Sequence, residues 1–206
     1  MALNTYSGLK TAVAEYLARS DLTTQIPNFV ELGEVRLRRD LRVRQMLKVA
    51  TTTATPNTST VELPSDFLQM RDLHLNTNPI TTIEYLSPSA FYRNSFASTT
   101  GLPTKYTILA EEFQFAPIPD SNYTLQMIYY AAPPFLSDSN ATNTFTNVCP
   151  DLLLYASLAE AEPYLMNDQR VQTWAALYDR GLNALTVSDD QGEYSASPIA
   201  ITTTLR

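Results

Sequence analysis

Apolar residues recur at helical spacing near both ends of the chain and at strand spacing in its middle. Between Thr5 and Ala18, Tyr6, Leu9, Val13, Tyr16 and Leu17 share one face of a helix, with Lys10, Thr11 and Glu15 flanking or opposing it. A second helix is expected behind Thr24 as N-cap, with Pro27 in the first turn, where a missing N–H costs nothing. Its apolar stripe is narrow: Ile26, Val30, Gly33, Leu37 and Leu41. Glycine lowers helix propensity, so Gly33 in that stripe predicts a close helix crossing. Further on, Pro150 and Asp151 carry the signals of a helix start. Leu152–Leu165 is apolar nearly all round, as in a helix buried on most sides. After Asn167 or Asp168 as cap, Val171, Trp174, Ala175, Tyr178, Leu182 and Leu185 repeat as a core face. The periodicity stops at Ser188.

The middle of the chain holds 9 of the 13 prolines and reads as short strands. They are expected over Gln45–Thr53, Ser59–Leu63, Leu68–Leu75 (with imperfect alternation), Ile80–Tyr85, Lys105–Leu109, Glu112–Ala116 and Tyr123–Ala131. A short helix with Ser87 as N-cap carries Phe91 and Tyr92. The pattern predicts an α+β fold. Its core has four helices, two N-terminal and two C-terminal, with an inserted antiparallel β-sheet or small β-sandwich and an extended C-terminal tail. The expected boundaries are 1–45 and 147–187 for the helical domain, 46–146 for the β insertion and 188–206 for a docking tail.

Composition removes most chemistry. One His (His74) and one Cys (Cys149) are too few for a zinc site of Cys and His ligands or a disulfide framework. Five glycines, at 8, 33, 101, 181 and 192, form no phosphate-binding loop. His74 has no identifiable partner acid and reads as structural. Glu111 and Glu112 are adjacent, so a strand would turn them to opposite faces, and a turn with one exposed carboxylate fits better. Asp138-Ser139-Asn140 opens like a calcium loop but lacks its Gly and closing Glu. Cys149 precedes a helix N-terminus, where a thiol pKa can fall, but a small buried residue is the better reading. No catalytic residue, metal or cofactor is expected. The start Met-Ala-Leu-Asn-Thr-Tyr is no signal peptide, and no apolar run spans a membrane, so synthesis in the cytoplasm and no membrane partner are expected.

Charge adds one feature. The formal net charge is −7, but the first 45 residues are net basic. Arg36, Arg38, Arg39, Arg42 and Arg44 cluster at the end of the second helix, away from its apolar stripe. One reading is a solvated face with Glu34–Arg38 and Arg36–Asp40 pairs. The other is a docking face for an acidic partner or a neighbouring subunit, which the acidic remainder of the chain could supply. A nucleic-acid-binding module on Arg36–Arg44 is the alternative function, although no aromatic residues are interleaved there as stacking platforms. Beyond Ser188, Asp189, Asp190 and Glu193 precede Tyr194, Ile199, Ile201 and Leu205. An apolar end on an acidic tether is how a chain adds itself to a partner.

These segments together resemble the head-to-tail adaptor (connector) proteins of tailed bacteriophages. The run Gln25-Ile-Pro-Asn-Phe-Val-Glu-Leu-Gly-Glu-Val-Arg-Leu-Arg-Arg-Asp-Leu-Arg is similar to their second helix. The run Cys149-Pro-Asp-Leu-Leu-Leu-Tyr-Ala-Ser-Leu-Ala-Glu-Ala-Glu-Pro-Tyr-Leu is similar to their third. The opening Thr5-Tyr-Ser-Gly-Leu and the Asp168–Leu185 segment fit as well. The resemblance implies a structural virion protein at the head–tail junction. It implies a ring, usually a dodecamer, that binds the portal protein above and a tail or nozzle protein below and lets double-stranded DNA pass through its centre. The arginines named above, with Tyr194, Ile199, Ile201 and Leu205, are then candidate subunit or portal contacts.

Overall fold

The computed structural model describes residues 3–93, 99–165 and 170–194. The fold is α+β, and the chain divides into two compact units. One comprises residues 1–46 and 133–206, the other residues 47–132. The segment 133–146, expected in the β insertion, therefore belongs with the helices.

In the helical unit, α1 (Tyr6–Leu17) is capped by Thr5, whose Oγ1 accepts from the Gly8 N–H at 3.2 Å. It ends at Ala18, in the left-handed region at φ 52°, whose N–H turns back to the carbonyls of Ala14 and Glu15. Helix α2 (Ile26–Asp40) has Gln25 and not Thr24 at its N-cap, without a side-chain cap bond. A strap from Pro133 leads to a short α4 (Thr144–Val148), which the apolar spacing does not reveal. Asn143 makes it with a capping box: its Oδ1 accepts from the N–H groups of Phe145 and Thr146, and Thr146 Oγ1 accepts from the Asn143 N–H. Helix α5 (Pro150–Leu165) follows and packs against α1, α2, α4 and the final helix α6 (Val171–Tyr194), so it is apolar on nearly every side. Leu152, Leu153, Leu154 and Leu158 are buried. Each such side chain stabilises the fold by about 1.5–3 kcal/mol. The α2–α5 crossing is close at Gly33, where a Cβ would lie 2.9 Å from Ser157 Oγ and 3.0 Å from its N.

Helix α6 (Val171–Tyr194) is longer than its apolar repeat. Residues 188–194, expected in the tail, are helical. Tyr178 anchors the helix: it is buried, its hydroxyl donates to Asp40 Oδ2 at 2.9 Å, and burial and that bond push its pKa up.

The β unit holds two four-stranded sheets. The first runs β1 (Leu47–Ala54), β8 (Tyr123–Ala131), β3 (Phe67–Leu75), β4 (Thr81–Thr82) and is antiparallel. The second runs β2 (Thr60–Glu62), β7 (Glu112–Ala116), β6 (Lys105–Leu109), β5 (Glu84–Tyr85). Its β5–β6 pair is parallel, a departure from the antiparallel expectation. Short helix α3 (Pro88–Arg93) packs on β6. Inward residues of both sheets, among them Leu73, Leu125, Met127, Tyr106, Phe113 and Phe115, make one buried core. That is the arrangement of a small sandwich. The imperfect alternation in β3 has a cause in its two register shifts against β8, at Phe67/Gln69 and Met70/Asp72. Ala110 and Glu111, both at positive φ (51° and 65°), form the two-residue turn between β6 and β7, which sets Glu111 outside the strand.

Candidate functional site

The arginine cluster lies on the last turns of α2 and the single 3-10 turn Arg44–Met46 that follows. It is not a freely solvated face. Arg36 reaches Glu160 of α5 at 3.4 Å and Asp40 at 3.9 Å, and its guanidinium stacks 4.4 Å from the Tyr178 ring centroid. Arg38 donates to the Pro133 carbonyl and its guanidinium carbon lies over the Phe135 ring, 3.4 Å from the centroid, and burial lowers its pKa. Arg42 Nη1 donates to the carbonyls of Arg38 and Leu41 at 2.7 and 2.6 Å, closing the C-terminus of α2. Arg44 Nε donates to Asp189 Oδ1 at 3.0 Å, and its backbone N–H also faces that carboxylate. Only Arg39 is exposed with no bond or ion pair to another described residue.

The Arg44–Asp189 pair also explains why α6 outlasts its apolar repeat. Asp189 has 10 % of its side chain exposed, and a Cβ on Gly192 would overlap the Arg44 guanidinium. Polar residues that suggest a solvated tether are instead a helix seated on Arg44. Tyr194 is the last residue of that helix. Ile199, Ile201 and Leu205 lie outside the described residues.

Sequence reasoning places Glu34 on the solvent side, paired with Arg38. The structure buries it to 1 % exposure beside Gly33 and Leu37. Its two oxygens accept from the Leu136 N–H at 3.2 and 3.1 Å, and Oε1 also accepts from Asn143 Nδ2 at 2.6 Å. Burial raises its carboxyl pKa to about 6, against the opposing pull of these donors and of Arg38. Arg38 and Glu34, one helical turn apart, thus pin opposite ends of the 133–143 strap to α2. Lys10, stacked on Tyr6, adds an ion pair to Asp138 at 2.9 Å. The one sequence signal for this arrangement is the capping pattern Asn143-x-x-Thr146.

The remaining candidates carry no chemistry. His74 does have an acidic neighbour, Asp72, at 3.3 Å, with which it forms a local pair on β3. Burial, with Asp151 adding to it, pushes the Cys149 thiol up to about 12, the reverse of an activated nucleophile. Among the described residues no three His, Cys, Asp or Glu side chains are placed to hold a metal ion. No helix of the described residues is long and apolar enough to cross a membrane.

The family profile of SU10 adaptor proteins matches residues 4–202, nearly the whole chain. The chain belongs to the SU10 adaptor protein family. These are phage head–tail adaptors, structural proteins of the virion neck and not a family of enzymes. A search of curated proteins gave no match. The adaptor match extends across both units and into the segment that carries Ile199 and Ile201.

Proposed function

We propose that this adaptor is one subunit of a ring, a dodecamer, seated below the portal of a tailed phage. The ring joins portal to tail or nozzle and forms part of the channel for double-stranded DNA. The observation that carries this reading is the family match over residues 4–202. The four-helix core of α1, α2, α5 and α6 is the body that repeats around the ring. Arg39 and the Ile199, Ile201 and Leu205 segment supply contacts to the next subunit or the portal. Arg36, Arg38, Arg42 and Arg44 support that surface from within.

The net charge of −7 suits a lumen through which DNA slides without sticking. The alternative of a nucleic-acid-binding module draws little from the geometry, because phosphate contacts need guanidinium groups that four of the five arginines have already committed.

Mass photometry and electron microscopy of the full chain, alone and with the portal protein of the same phage, test the proposal. A closed ring of defined stoichiometry on the portal is expected. A chain that stays monomeric with the portal present refutes it.

A further inference from the structure

Three of the four edge strands are short: β2 has three residues, and β4 and β5 have two each. Where β3 runs beyond β4, which pairs only with His74 and Leu75, it is broken by two register shifts and carries Arg71 and Asp72, so it is blunted. The fourth edge, β1, is eight residues long. It pairs with β8 in unbroken register from Leu47↔Tyr130 to Ala54↔Tyr123, and among the described residues nothing pairs with its other side. Proteins blunt long edges with prolines, bulges or charges. β1 has no proline and no bulge, and its only charge, Lys48, turns to Asp66 at 2.6 Å. Val49 is 57 % exposed, and Thr51 and Thr53 on the same face are exposed too. The strand therefore offers a row of backbone donors and acceptors beside an uncharged face.

The chain also carries a segment suited to that edge. Ile199-Ala-Ile-Thr-Thr-Thr-Leu205 is seven residues long, uncharged, free of Gly and Pro, and rich in β-branched side chains. In a parallel pairing Ile201 falls beside Val49 and Thr203 beside Thr51. In an antiparallel one Leu205 meets Val49, and Thr203 again meets Thr51. In either register one apolar pair and one threonine pair form, which are favourable cross-strand pairs, while Thr53 meets Leu205 in the parallel case and Ile201 in the antiparallel one.

We propose that the outer edge of β1 accepts residues 199–205 of a second copy as an added strand. The inference rests on the ring reading. A ring of head-to-tail copies needs two different surfaces on each chain, and a strand donor with a strand acceptor is such a pair.

The test uses full-length chains carrying one new cysteine each. Val49→Cys is mixed with Ile201→Cys or with Leu205→Cys, and Ile80→Cys, exposed outside the edge, replaces Val49→Cys as control. Buried Cys149 stays silent. Under mild oxidation the assembled mixture should give a covalent dimer of chains at least tenfold above the control. Ile199→Asp/Ile201→Asp should raise the concentration for half-assembly at least tenfold. Rings that assemble without the cross-link overturn the inference and leave the ring reading standing. So does a cross-link that forms only when both cysteines are in one chain, or capture of the Ile201 cysteine by the portal alone. Failure of the unmodified chain to form rings, with or without portal, removes both.

Discussion

Glu34 should make the stability of the helical unit depend on pH in the sense opposite to an ordinary paired carboxylate. Burial raises its pKa from an ordinary 4.5 to about 6. Between those values the folded chain holds a proton that the unfolded chain has released. Stability contributed by this group is therefore complete below about pH 4.5 and is lost as pH rises through about 6. A displacement of about one and a half pKa units corresponds to about 2 kcal/mol. Glu34→Gln cannot titrate, so it removes this dependence. Its amide also points a donor at the Leu136 N–H, a constant cost of about 1–3 kcal/mol. The variant should be less stable than the parent near pH 4 and close to it at pH 7.5. Urea unfolding at a series of pH values, read by fluorescence, gives both free energies. Trp174 is the only tryptophan in the chain and sits in the helical unit against Tyr16 and Tyr155, so it reports on the right unit. Groups held below their ordinary values, such as Asp21 beside Arg19, are common to both proteins and cancel in the difference. A difference that stays flat from pH 4 to 7.5, or one that moves the other way, would mean that the strap's donors and Arg38 fully offset the burial of the charge.

Gly33→Ala should destabilise by about 1–3 kcal/mol through overlap with Ser157, although alanine is the better helix former by up to about 1 kcal/mol. A thermal melt by circular dichroism measures it, and an unchanged or higher midpoint would show that α5 yields at no cost. Arg38→Glu and Arg39→Glu, adjacent in sequence, should part company. The first sets a carboxylate on Phe135 and loses the Pro133 bond, so unfolding in urea should come markedly earlier, whereas the second should stay within about 0.5 kcal/mol of the parent. If both behave alike, the internal role of Arg38 is wrong. Cys149 should resist iodoacetamide at pH 8 in native buffer and react at the rate at which the helical unit opens. Rapid alkylation of the folded chain would contradict its burial.

Most of the fold was legible from local spacing, because α1 and α2 each bury a face, α5 is buried nearly all round, and the longer strands are bounded by Pro, Gly or turn residues; of the core face expected on α6, Tyr178 is buried while Val171 is exposed. What stayed hidden depends on partners distant in sequence. Asp189 and Asp190 read as a solvated tether until Arg44, 145 residues earlier, is seen against Asp189. Glu34 reads as a surface charge until the strap folds over it. That strap has no periodicity of its own, since its structure comes from side-chain bonds to α2 and the Asn143 cap, so the boundary at 146 fell too late. A deletion that removes the β unit cleanly has to end at Ala132, before Pro133, or it takes the strap with it. The arginine cluster was visible as a cluster, but counting charges could not tell committed guanidinium groups from the free one.

The register of β1 on β8 has a bearing on how the helical unit closes. Leu47 and Tyr130 are direct partners, so the β unit begins and ends at nearly the same point in space. Once it is folded, the roughly 85 residues of the β unit behave as a link only a few residues long between α2 and the strap. Each halving of a loop removes about 0.6 kcal/mol of closure entropy, and about four halvings separate the two cases, or roughly 2.5 kcal/mol. The sandwich thus acts as a non-covalent cross-link, lending α2 and α5 a proximity that their positions in the sequence deny them.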